Sequence, residues 1–271
     1  RWFISTIFTE TKHCGSALMR IRQLSVLRGS ETILSELNVD IPQGKWTSII
    51  GPNGAGKSSL LQAMAGLLNW NGSITLDEIN ITSFTQKDLA KKIAWLDQDS
   101  NTLEEFGDSL SVYDTVMLGR IPHQGWLHLP SKTDHIAVEQ ALQHTDVWHL
   151  RQCSLQQLSG GERQRVLLAR LIAVDSSILL MDEPLANLDP PHQADFLQRQ
   201  NHLLTQGKTL VTVLHEVHFA LRADHVVMLN KGKLYFQGGS QEPETHKALI
   251  ALFDGRIRLE KLGADWVALP N

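Results

Sequence analysis

The stretch GPNGAGKSS, residues 51–59, follows directly on a β-like run, residues 45–50, that ends in the apolar pair Ile49 and Ile50. It fits the pattern G-x-x-x-x-G-K-[ST], and apolar residues recur at helical spacing between Ser58 and Leu68. A strand, a glycine-rich turn and a helix in this order predict a loop whose backbone N–H groups turn inward, where they can bind phosphate oxygens. The bare pattern also fits a glycine-rich turn that binds nothing, so other motifs have to decide between the two interpretations.

The residue types of this loop suit the phosphates of a nucleotide. The helix after the loop would direct free N–H groups and a partial positive charge at the same place. Lys57 would contact the terminal phosphates as a mobile charge, and the hydroxyl of Ser58 would be a ligand of Mg²⁺. The predicted nucleotide-binding residues of the loop are Gly51, Pro52, Asn53, Gly54, Ala55, Gly56, Lys57, Ser58 and Ser59.

A second apolar run, SILLMDEP at residues 177–184, stops at two adjacent carboxylates, Asp182 and Glu183. Such a run suits a buried parallel strand, and the ligands of open α/β sheets bind beyond the carboxyl ends of the strands. Asp182 could hold the Mg²⁺ of a bound nucleotide there, while Glu183, which points the other way, could aim an attacking water. Two solvated acids that cap a strand are the alternative, and this stretch alone does not separate the two.

Strand-like and helical runs alternate along the chain. Short β-like runs fill residues 19–83, a mainly helical stretch runs from about residue 85 to residue 157, and strands and helices alternate again after it. This order predicts an α/β fold: a P-loop NTPase core with a mainly parallel sheet, an antiparallel β subdomain and an inserted α-helical subdomain.

The composition excludes several classes of protein. The 271 residues are 42% hydrophobic and 20% charged, which is typical of a globular protein, and the net charge of −4 provides no general surface for nucleic acid or an anionic membrane. No apolar stretch reaches the ~20 residues of a membrane-spanning helix. The two cysteines, Cys14 and Cys153, are far apart, which argues against a disulfide framework and fits a reducing cytosol.

A third motif, LSGGERQ at residues 158–164, places a serine and two glycines where a helix begins. A hydroxyl and free N–H groups there form a second anion site, although Ser159 by itself would be an ordinary N-cap. In chain order, GPNGAGKS, the glutamine of LDQD, LSGGERQ, ILLMDEP, LANLD and VLHE closely resemble the nucleotide-binding subunits of ATP-binding cassette (ABC) transporters. The resemblance covers residues 19–239 and is specific, because six separate motifs occur in one order.

The resemblance implies a role for each motif. ATP and Mg²⁺ would be the cofactors, and two antiparallel copies of the chain would enclose two ATP molecules, each between the phosphate loop of one copy and the LSGGE segment of the other. The residues that would contact the partner's ATP are Ser159, Gly160, Gly161 and Glu162. The Mg²⁺ ligands would be Ser58, Gln98 and Asp182. The catalytic residues would be Glu183, which polarises the attacking water, and His215, which contacts the γ-phosphate, while Asp189 would couple the two sites.

One position departs from the family pattern. The family places an aromatic ring on adenine after the first strand, and the stretch LSVLRGSETIL has Arg28 there. Because a guanidinium can also stack on a base, Arg28 is included among the predicted nucleotide contacts.

The stretch HEVH at residues 215–218 is similar to the zinc motif H-E-x-x-H. Its histidines are three residues apart rather than four, and it follows a strand rather than lying on a helix. We therefore predict no zinc site there. The remaining histidines lack ligand spacing, and packing explains them better than metal binding.

The resemblance also sets the expected boundaries. We expect residues 1–18 to be a disordered extension before a natural start at Met19, and residues 19–240 to form the ABC ATPase domain. The helical subdomain would occupy about residues 88–158, inserted in the P-loop core, and residues 241–271 would be a short C-terminal tail.

The chain has one set of motifs and no membrane span, which is similar to importer ATPases that dock on separate permeases. The stretch SVYDTVMLGRIPH, residues 111–123, resembles a segment of the ATPases for ferric siderophores, haem and cobalamin, although a helix that simply ends at Gly119 is the alternative. The implied partners are a second copy of the chain, two transmembrane permease subunits and, indirectly, a substrate-binding protein, with no nucleic acid. The implied place is the cytoplasmic face of a bacterial-type inner membrane. The alternative function is that of a soluble ABC ATPase not coupled to transport, for example in iron–sulfur assembly.

Overall fold

The structure is a computed structural model that describes residues 17–97, 110–125, 128–186, 188–263 and 265–271. The chain divides into two compact units. Unit 1 contains the residues up to Ser83 and those from Thr212 onward, and unit 2 contains Phe84–Val211. The expected extension at residues 1–18 lies outside the described residues, apart from Ala17 and Leu18, where the first strand begins.

Helices and strands alternate in both units. Unit 1 begins with β1 (Ala17–Arg28), β2 (Glu31–Pro42), β3 (Trp46–Ile50), α1 (Lys57–Met64), β4 (Asn71–Leu76) and β5 (Ile79–Asn80). Unit 2 contains α2 (Gln86–Lys92), β6 (Ile93–Leu96), α3 (Val112–Met117), α4 (Lys132–His144), α5 (Gly160–Ala173), β7 (Ile178–Asp182) and α6 (Pro190–Thr205). Strand β8 (Thr209–Val213) begins in unit 2 and ends in unit 1. Unit 1 then continues with α7 (Val217–Ala220), β9 (His225–Asn230), β10 (Lys233–Gly239), α8 (Pro243–Leu252), β11 (Ile257–Leu262) and β12 (Asp265–Pro270). Among the described residues, no helix is both long and apolar enough to span a bilayer.

Unit 1 contains an antiparallel sheet and a buried parallel strand pair. Strand β1 pairs antiparallel with β2 and β4, in the order β2-β1-β4-β5. Strand β3 pairs in parallel with β9, with Ile49 opposite Val227, and β10 returns antiparallel to β9. All five residues of β3 are buried, as expected of a parallel strand that is covered on both faces. The phosphate loop therefore starts from a rigid, buried strand end.

The turn between β9 and β10 connects three segments of unit 1. Lys231 and Gly232 have φ values of 47° and 73°, the left-handed values that a two-residue hairpin turn needs. The backbone N–H of Gly232 donates to the carbonyl oxygen of Ala55 at 3.2 Å, and Gly232 in turn accepts a hydrogen bond from Ser35 at 2.8 Å. The hairpin predicted from Asn230-Lys231-Gly232 is confirmed. Its turn is also hydrogen-bonded to Ala55 of the phosphate loop.

Unit 2 is built on a parallel strand pair with helices around it. Strand β6 pairs in parallel with β7, with Leu96 opposite Met181, and all five residues of β7 are buried. At the start of β8, the backbone N–H of Thr209 donates to the carbonyl oxygen of Ser177 at 2.9 Å. Helix α5 buries an apolar face formed by Val166, Leu167, Leu168, Ala169, Leu171 and Ala173. These contacts fix the carboxyl end of β7, where the two adjacent acids follow.

The structure differs from the sequence expectations in three elements. Helix α1 ends at Met64 rather than Leu68, because Gly66 adopts a left-handed φ of 73° that a continuing helix cannot accommodate. Residues 93–96 form strand β6 inside the stretch expected to be mainly helical. The residues after 241, expected to form a short tail, contain helix α8 and the β11–β12 hairpin.

This C-terminal segment packs against the rest of unit 1. Asp265 at the start of β12 forms an ion pair of 2.5 Å with Arg222, which follows α7. The indole N–H of Trp266 donates to Oε1 of Gln241 at 3.1 Å, and the indole ring meets the ring of His246 edge-on with centroids 4.4 Å apart. The residues after 241 are therefore a packed part of unit 1.

Candidate functional site

The phosphate loop leaves β3 and ends at α1, and its backbone path requires glycine at two positions. A methyl group added to Gly51 would lie 2.2 Å from the carbonyl oxygen of Leu229 in β9, which no side chain can tolerate. Gly56, the residue before α1, has a φ of +94° that L side chains rarely adopt. The glycines that predicted this loop therefore allow a close approach to β9 and a sharp turn into the helix.

Lys57 is the first residue of α1, and its side chain folds back across the loop. Only 6% of the residue is exposed. Its Nζ donates to the carbonyl oxygens of Gly51 at 2.9 Å and Pro52 at 3.2 Å. An ammonium group held beside a helix N-terminus concentrates positive charge in this loop, although the whole chain has a net charge of −4. The charge of this loop is therefore suited to binding an anion.

His215 lies at the same edge of unit 1 as the phosphate loop. It follows β8 by two residues, and the backbone N–H of Leu214 donates to the carbonyl oxygen of Ile49 at 3.2 Å. This bond places the carboxyl ends of β8 and β3 side by side, where ligands of open α/β sheets bind. The side chain of His215 is exposed, as a contact to a bound phosphate requires. Arg28 is the exposed last residue of β1, and its stacking on adenine stays a prediction.

Asp182 and Glu183 occupy the end of β7 in unit 2. Asp182 is 2% exposed and is the last residue of the strand. Glu183 has a φ of 49°, a left-handed conformation that costs a non-glycine residue ~1 kcal/mol. A turn follows directly, in which the N–H of Ala186 donates to the carbonyl oxygen of Glu183 at 3.0 Å. Strain of this kind persists only where the surroundings enforce it, and it concentrates at functional sites.

The segment from Ser159 to Glu162 begins helix α5 with a reciprocal cap. The backbone N–H of Glu162 donates to the Ser159 hydroxyl at 3.3 Å, and the backbone N–H of Ser159 donates to the Glu162 carboxylate at 2.8 Å. Hydrogen bonds from Ser159 hold the pKa of the Glu162 carboxyl below its ordinary value. Glu162 therefore stabilises its own helix as an anion, and its predicted contact with a partner's ATP stays a prediction.

The two glycines of this segment are not required by the fold around them. A methyl group added to Gly160 would meet no atom within 4 Å. A methyl group on Gly161 would lie 3.6 Å from the ring of His192, which is an ordinary van der Waals distance. Neither glycine has the positive φ that excludes side chains. The surface over these two residues is open.

A side-chain hydrogen bond joins this helix to the turn after β7. Nε2 of Gln164 donates to the carbonyl oxygen of Pro184 at 3.2 Å. This hydrogen bond therefore joins the helix that begins with Gly160 and Gly161 to the strained turn at Glu183, within unit 2. Sequence reasoning missed Gln164, because its acceptor lies 20 residues away and no spacing rule links the two.

Asp189 begins helix α6 and also contacts a residue that sequence reasoning missed. Its Oδ1 accepts a hydrogen bond from the backbone N–H of His192 at 3.2 Å and is hydrogen-bonded to Nδ1 of the same residue. The spacing could have indicated this contact, since an N-cap acid accepts hydrogen bonds from residues two or three positions further on. The remaining predicted site residue, Gln98, lies outside the described residues.

Comparisons with known proteins identify the family of the chain. The family model for ABC transporters matches residues 34–186. The chain is 38% identical over 246 residues to the ferric enterobactin transport ATP-binding protein FepC of Escherichia coli strain K12, covering 90% of this chain and 89% of that protein. It is 36% identical over 243 residues to the hemin import ATP-binding protein HmuV of Pseudomonas entomophila, covering 87% of this chain and 92% of that protein.

Solved structures share the fold. A chain described as a metal-chelate-type ABC transporter in an inward-facing conformation superposes with a TM-score of 0.77 at 25% identity, covering 94% of this chain and 98% of that one. The dimeric ABC transporter cassette MJ0796 superposes with a TM-score of 0.71 at 24% identity, covering 83% of this chain and 99% of that one. The chain therefore belongs to the ABC transporter family and is an ATPase of that family.

Proposed function

We propose that this protein is the ATP-hydrolysing subunit of a membrane importer that takes up a metal chelate: cobalamin, a ferric siderophore or haem. Two similar proteins support this class, since one is named for ferric enterobactin transport and the other for hemin import. The subunit would be a peripheral protein at the cytoplasmic face of a bacterial inner membrane. It would act as two copies on two permease subunits, which a substrate-binding protein supplies with cargo.

The open surface over Gly160 and Gly161 is the observation that carries this proposal. A helix start in which alanine would fit at both positions gains nothing from glycine, because glycine costs a helix up to about 1 kcal/mol relative to alanine. The choice of glycine at both positions is explained if a group from outside the chain approaches the backbone of Gly160 and Gly161 closely. A helix N-terminus with a serine hydroxyl favours an anion there, and the γ-phosphate held by the loop of a second copy has the right charge. The pair of glycines therefore supports an ATP molecule shared by two copies.

The nucleotide would be bound by the phosphate loop, with Lys57 against the terminal phosphates. When bound, Mg²⁺ would supply positive charge that neutralises the phosphates. The Ser58 hydroxyl, the Gln98 amide oxygen and the buried Asp182 carboxylate are oxygen donors of the type that this ion prefers. We assign these three residues as its ligands. Arg28 would stack on the adenine.

Hydrolysis would be an in-line attack of water on the γ-phosphorus. Glu183 would orient that water and accept its proton as the new P–O bond forms and the bond to the ADP oxygen breaks. His215 would hydrogen-bond the γ-phosphate and steady the charge that develops on it. Asp189 would connect the two sites of the dimer. ATP binding would favour the closed dimer, and hydrolysis would remove that preference, so that the permease returns to its first state.

The experiment is an uptake assay in cells that lack this protein. Labelled cobalamin, haem and a ferric siderophore are offered separately, and the cells are complemented with the parent protein, Glu183→Gln or the control Glu244→Gln. Glu244 is an exposed acid in the first turn of α8. We expect the parent and the control to restore uptake of one cargo. Glu183→Gln should retain ATP binding and lose about 100-fold or more in hydrolysis, as the loss of a general base predicts.

The outcomes separate transport from other uses of ATP. Uptake of one cargo that depends on the parent protein and on Glu183 would establish the importer and name its substrate. Unchanged uptake of all three cargoes, with ATP hydrolysis still dependent on Glu183, would overturn the metal-chelate importer and favour a soluble ATPase. Hydrolysis at the parent rate by Glu183→Gln would show that another group orients the water.

A further inference from the structure

The imidazole ring of His192, in the first turn of helix α6, orients the acid that precedes the helix. Asp189 precedes the helix, and His192 follows three residues later. The carboxylate oxygen Oδ1 of Asp189 is hydrogen-bonded to both the backbone N–H and the ring Nδ1 of His192. The carboxylate is thereby fixed in one orientation, while 59% of the Asp189 side chain stays exposed. An exposed acid with a fixed orientation is suited to contact a second molecule.

The same ring lies beside the open glycine segment. A methyl group added to Gly161 would be 3.6 Å from both Nδ1 and Cε1 of His192. The ring therefore lies near Gly161 while it is bonded to Asp189. Two segments that are about thirty residues apart in the chain are close together at this side chain.

The chemistry of the contact identifies which ring nitrogen matters. A carboxylate oxygen only accepts, so Nδ1 has to carry the proton in this hydrogen bond. The bond to His192 is the main cause that holds the pKa of the Asp189 carboxyl below its ordinary value. Asp189 is therefore ionised at neutral pH. Nε2 is left free of this contact, so the position of Nδ1 alone determines whether the hydrogen bond forms.

We propose that His192 is a positioning residue that fixes the Asp189 carboxylate beside the Ser159–Gly161 segment within one copy, so that both reach the partner's ATP together. The inference rests on the proposed function, which places both segments against a second copy. His192 itself would contact neither ATP nor the attacking water. Its effect is on the rate of the assembled pair, because each copy contributes these two segments to the other copy's nucleotide.

The test compares three substitutions at position 192 in the full chain, purified with its membrane partner and supplied with MgATP. His192→Asn keeps an N–H donor at the position of Nδ1, His192→Gln moves its donor to the position of Nε2, and His192→Ala removes the ring. Gln198→Ala is the control, since Gln198 is exposed on the same helix. We expect Asn and the control to stay within about twofold of the parent kcat, while Gln and Ala lose about tenfold.

The KM for ATP should change less than about twofold in all variants, because none of them alters the phosphate loop. Thermal unfolding of each variant checks that the chain is folded. Equal activity of the Asn and Gln variants would overturn the inference, since the position of the donor would then be irrelevant. A loss in all three folded variants, Asn included, would also overturn it, because the ring would act by packing alone.

A double-mutant cycle keeps the inference testable if a single variant proves unstable. In an Asp189→Ala background, His192→Ala should have little further effect on kcat, since the group that it positions is gone. Independent, additive losses would contradict the inference. If the parent complex hydrolyses no ATP at all, the proposed function fails before His192 is tested, so the two failures are distinguishable.

Discussion

Two glycines of unit 2 have opposite surroundings, and alanine at each should have opposite effects. A methyl group on Gly160 meets nothing within 4 Å, whereas a methyl group on Gly119 would lie 2.4 Å from the carbonyl oxygen of Arg170. Gly160→Ala should leave the free energy of unfolding unchanged or raise it by up to about 1 kcal/mol, because alanine favours the helix. ATP hydrolysis should nevertheless fall at least about tenfold, because the methyl group would occupy the space in which we propose that the partner's phosphate binds.

Gly119→Ala is the matched comparison. It should lower the free energy of unfolding by about 1 to 3 kcal/mol, since the backbone at Arg170 has to move to admit the methyl group. Its ATPase rate per folded molecule should stay near that of the parent. Urea unfolding and ATPase rates measured on both variants check the pair. A Gly160→Ala variant with full activity would remove the main support for an ATP molecule shared by two copies.

Some site residues could be predicted from the sequence and others could not, for a physical reason. Lys57, Asp182 and Glu183 belong to local patterns in which a turn or a strand end determines the chemistry. Gln164 does not, since it donates to the carbonyl oxygen of Pro184 through the fold rather than along the chain. The left-handed backbone of Glu183 was not predictable either, because an acid before a proline favours an extended conformation.

Three elements of unit 2 meet at a buried ion pair. Nε of Arg120 donates to Asp134 at 2.9 Å, and Nη1 of Arg120 donates to the carbonyl oxygen of Ala173 at the end of α5 at 2.8 Å. Asp134 also caps the start of α4 together with Ser131. The pair joins the short 3₁₀ stretch Leu118–His123 to both helices, and both side chains are almost wholly buried.

The ion pair should make unfolding depend on pH in acid. Burial alone would raise the pKa of Asp134, but hydrogen bonds from Ser131 and the guanidinium of Arg120 outweigh it and lower the pKa to about 2 from the ordinary value of 3.8. A lowered pKa means that this stabilisation is present above about pH 4 and is lost as the pH falls toward 2. Denaturant unfolding should show that the free energy of unfolding falls between pH 7 and pH 2.5.

Replacing one residue of this ion pair should lower the free energy of unfolding more than replacing both. Arg120→Met should lower the free energy of unfolding by about 3 to 5 kcal/mol at pH 7, because a buried carboxylate is left without its cation. The double variant with Arg120→Met and Asp134→Leu should be less destabilised than Arg120→Met alone. Its free energy of unfolding should also fall much less in acid. If the double variant were as unstable as the sum of the single variants, the two residues would be acting independently.

Strand β7 could be predicted because its apolar pattern is continuous from Ile178 to Met181. Strand β3 is also buried at all its positions, but it includes the polar residues Thr47 and Ser48, so its prediction rests on aromatic and β-branched residues. Strand β6 has only four residues, which is too short for a periodic pattern to emerge. The β11–β12 hairpin alternates charged and apolar residues weakly, and its place depends on contacts with distant residues such as Arg222.

At the scale of the whole molecule, the C-terminal segment should contribute to stability and not to ATP binding. Trp266→Ala removes both the hydrogen bond to Gln241 and the ring contact with His246. We expect a loss of about 1 to 2 kcal/mol in the free energy of unfolding, since the indole is half-buried. Trp266→Phe should lose less, because it keeps the ring contact. Thermal unfolding and the KM for ATP, expected to be unchanged, check both variants.

The left-handed backbone at Glu183 also bears on how the sequence drifts over generations. Glycine or asparagine would fit a φ of 49° with less strain, so a lineage kept only for resistance to heat would tend to lose the acid. If Glu183 orients the attacking water as proposed, a lineage that depends on ATP hydrolysis would keep the acid despite its cost. The identity of this one residue in natural variants would therefore record whether ATP turnover was still under selection when those variants arose.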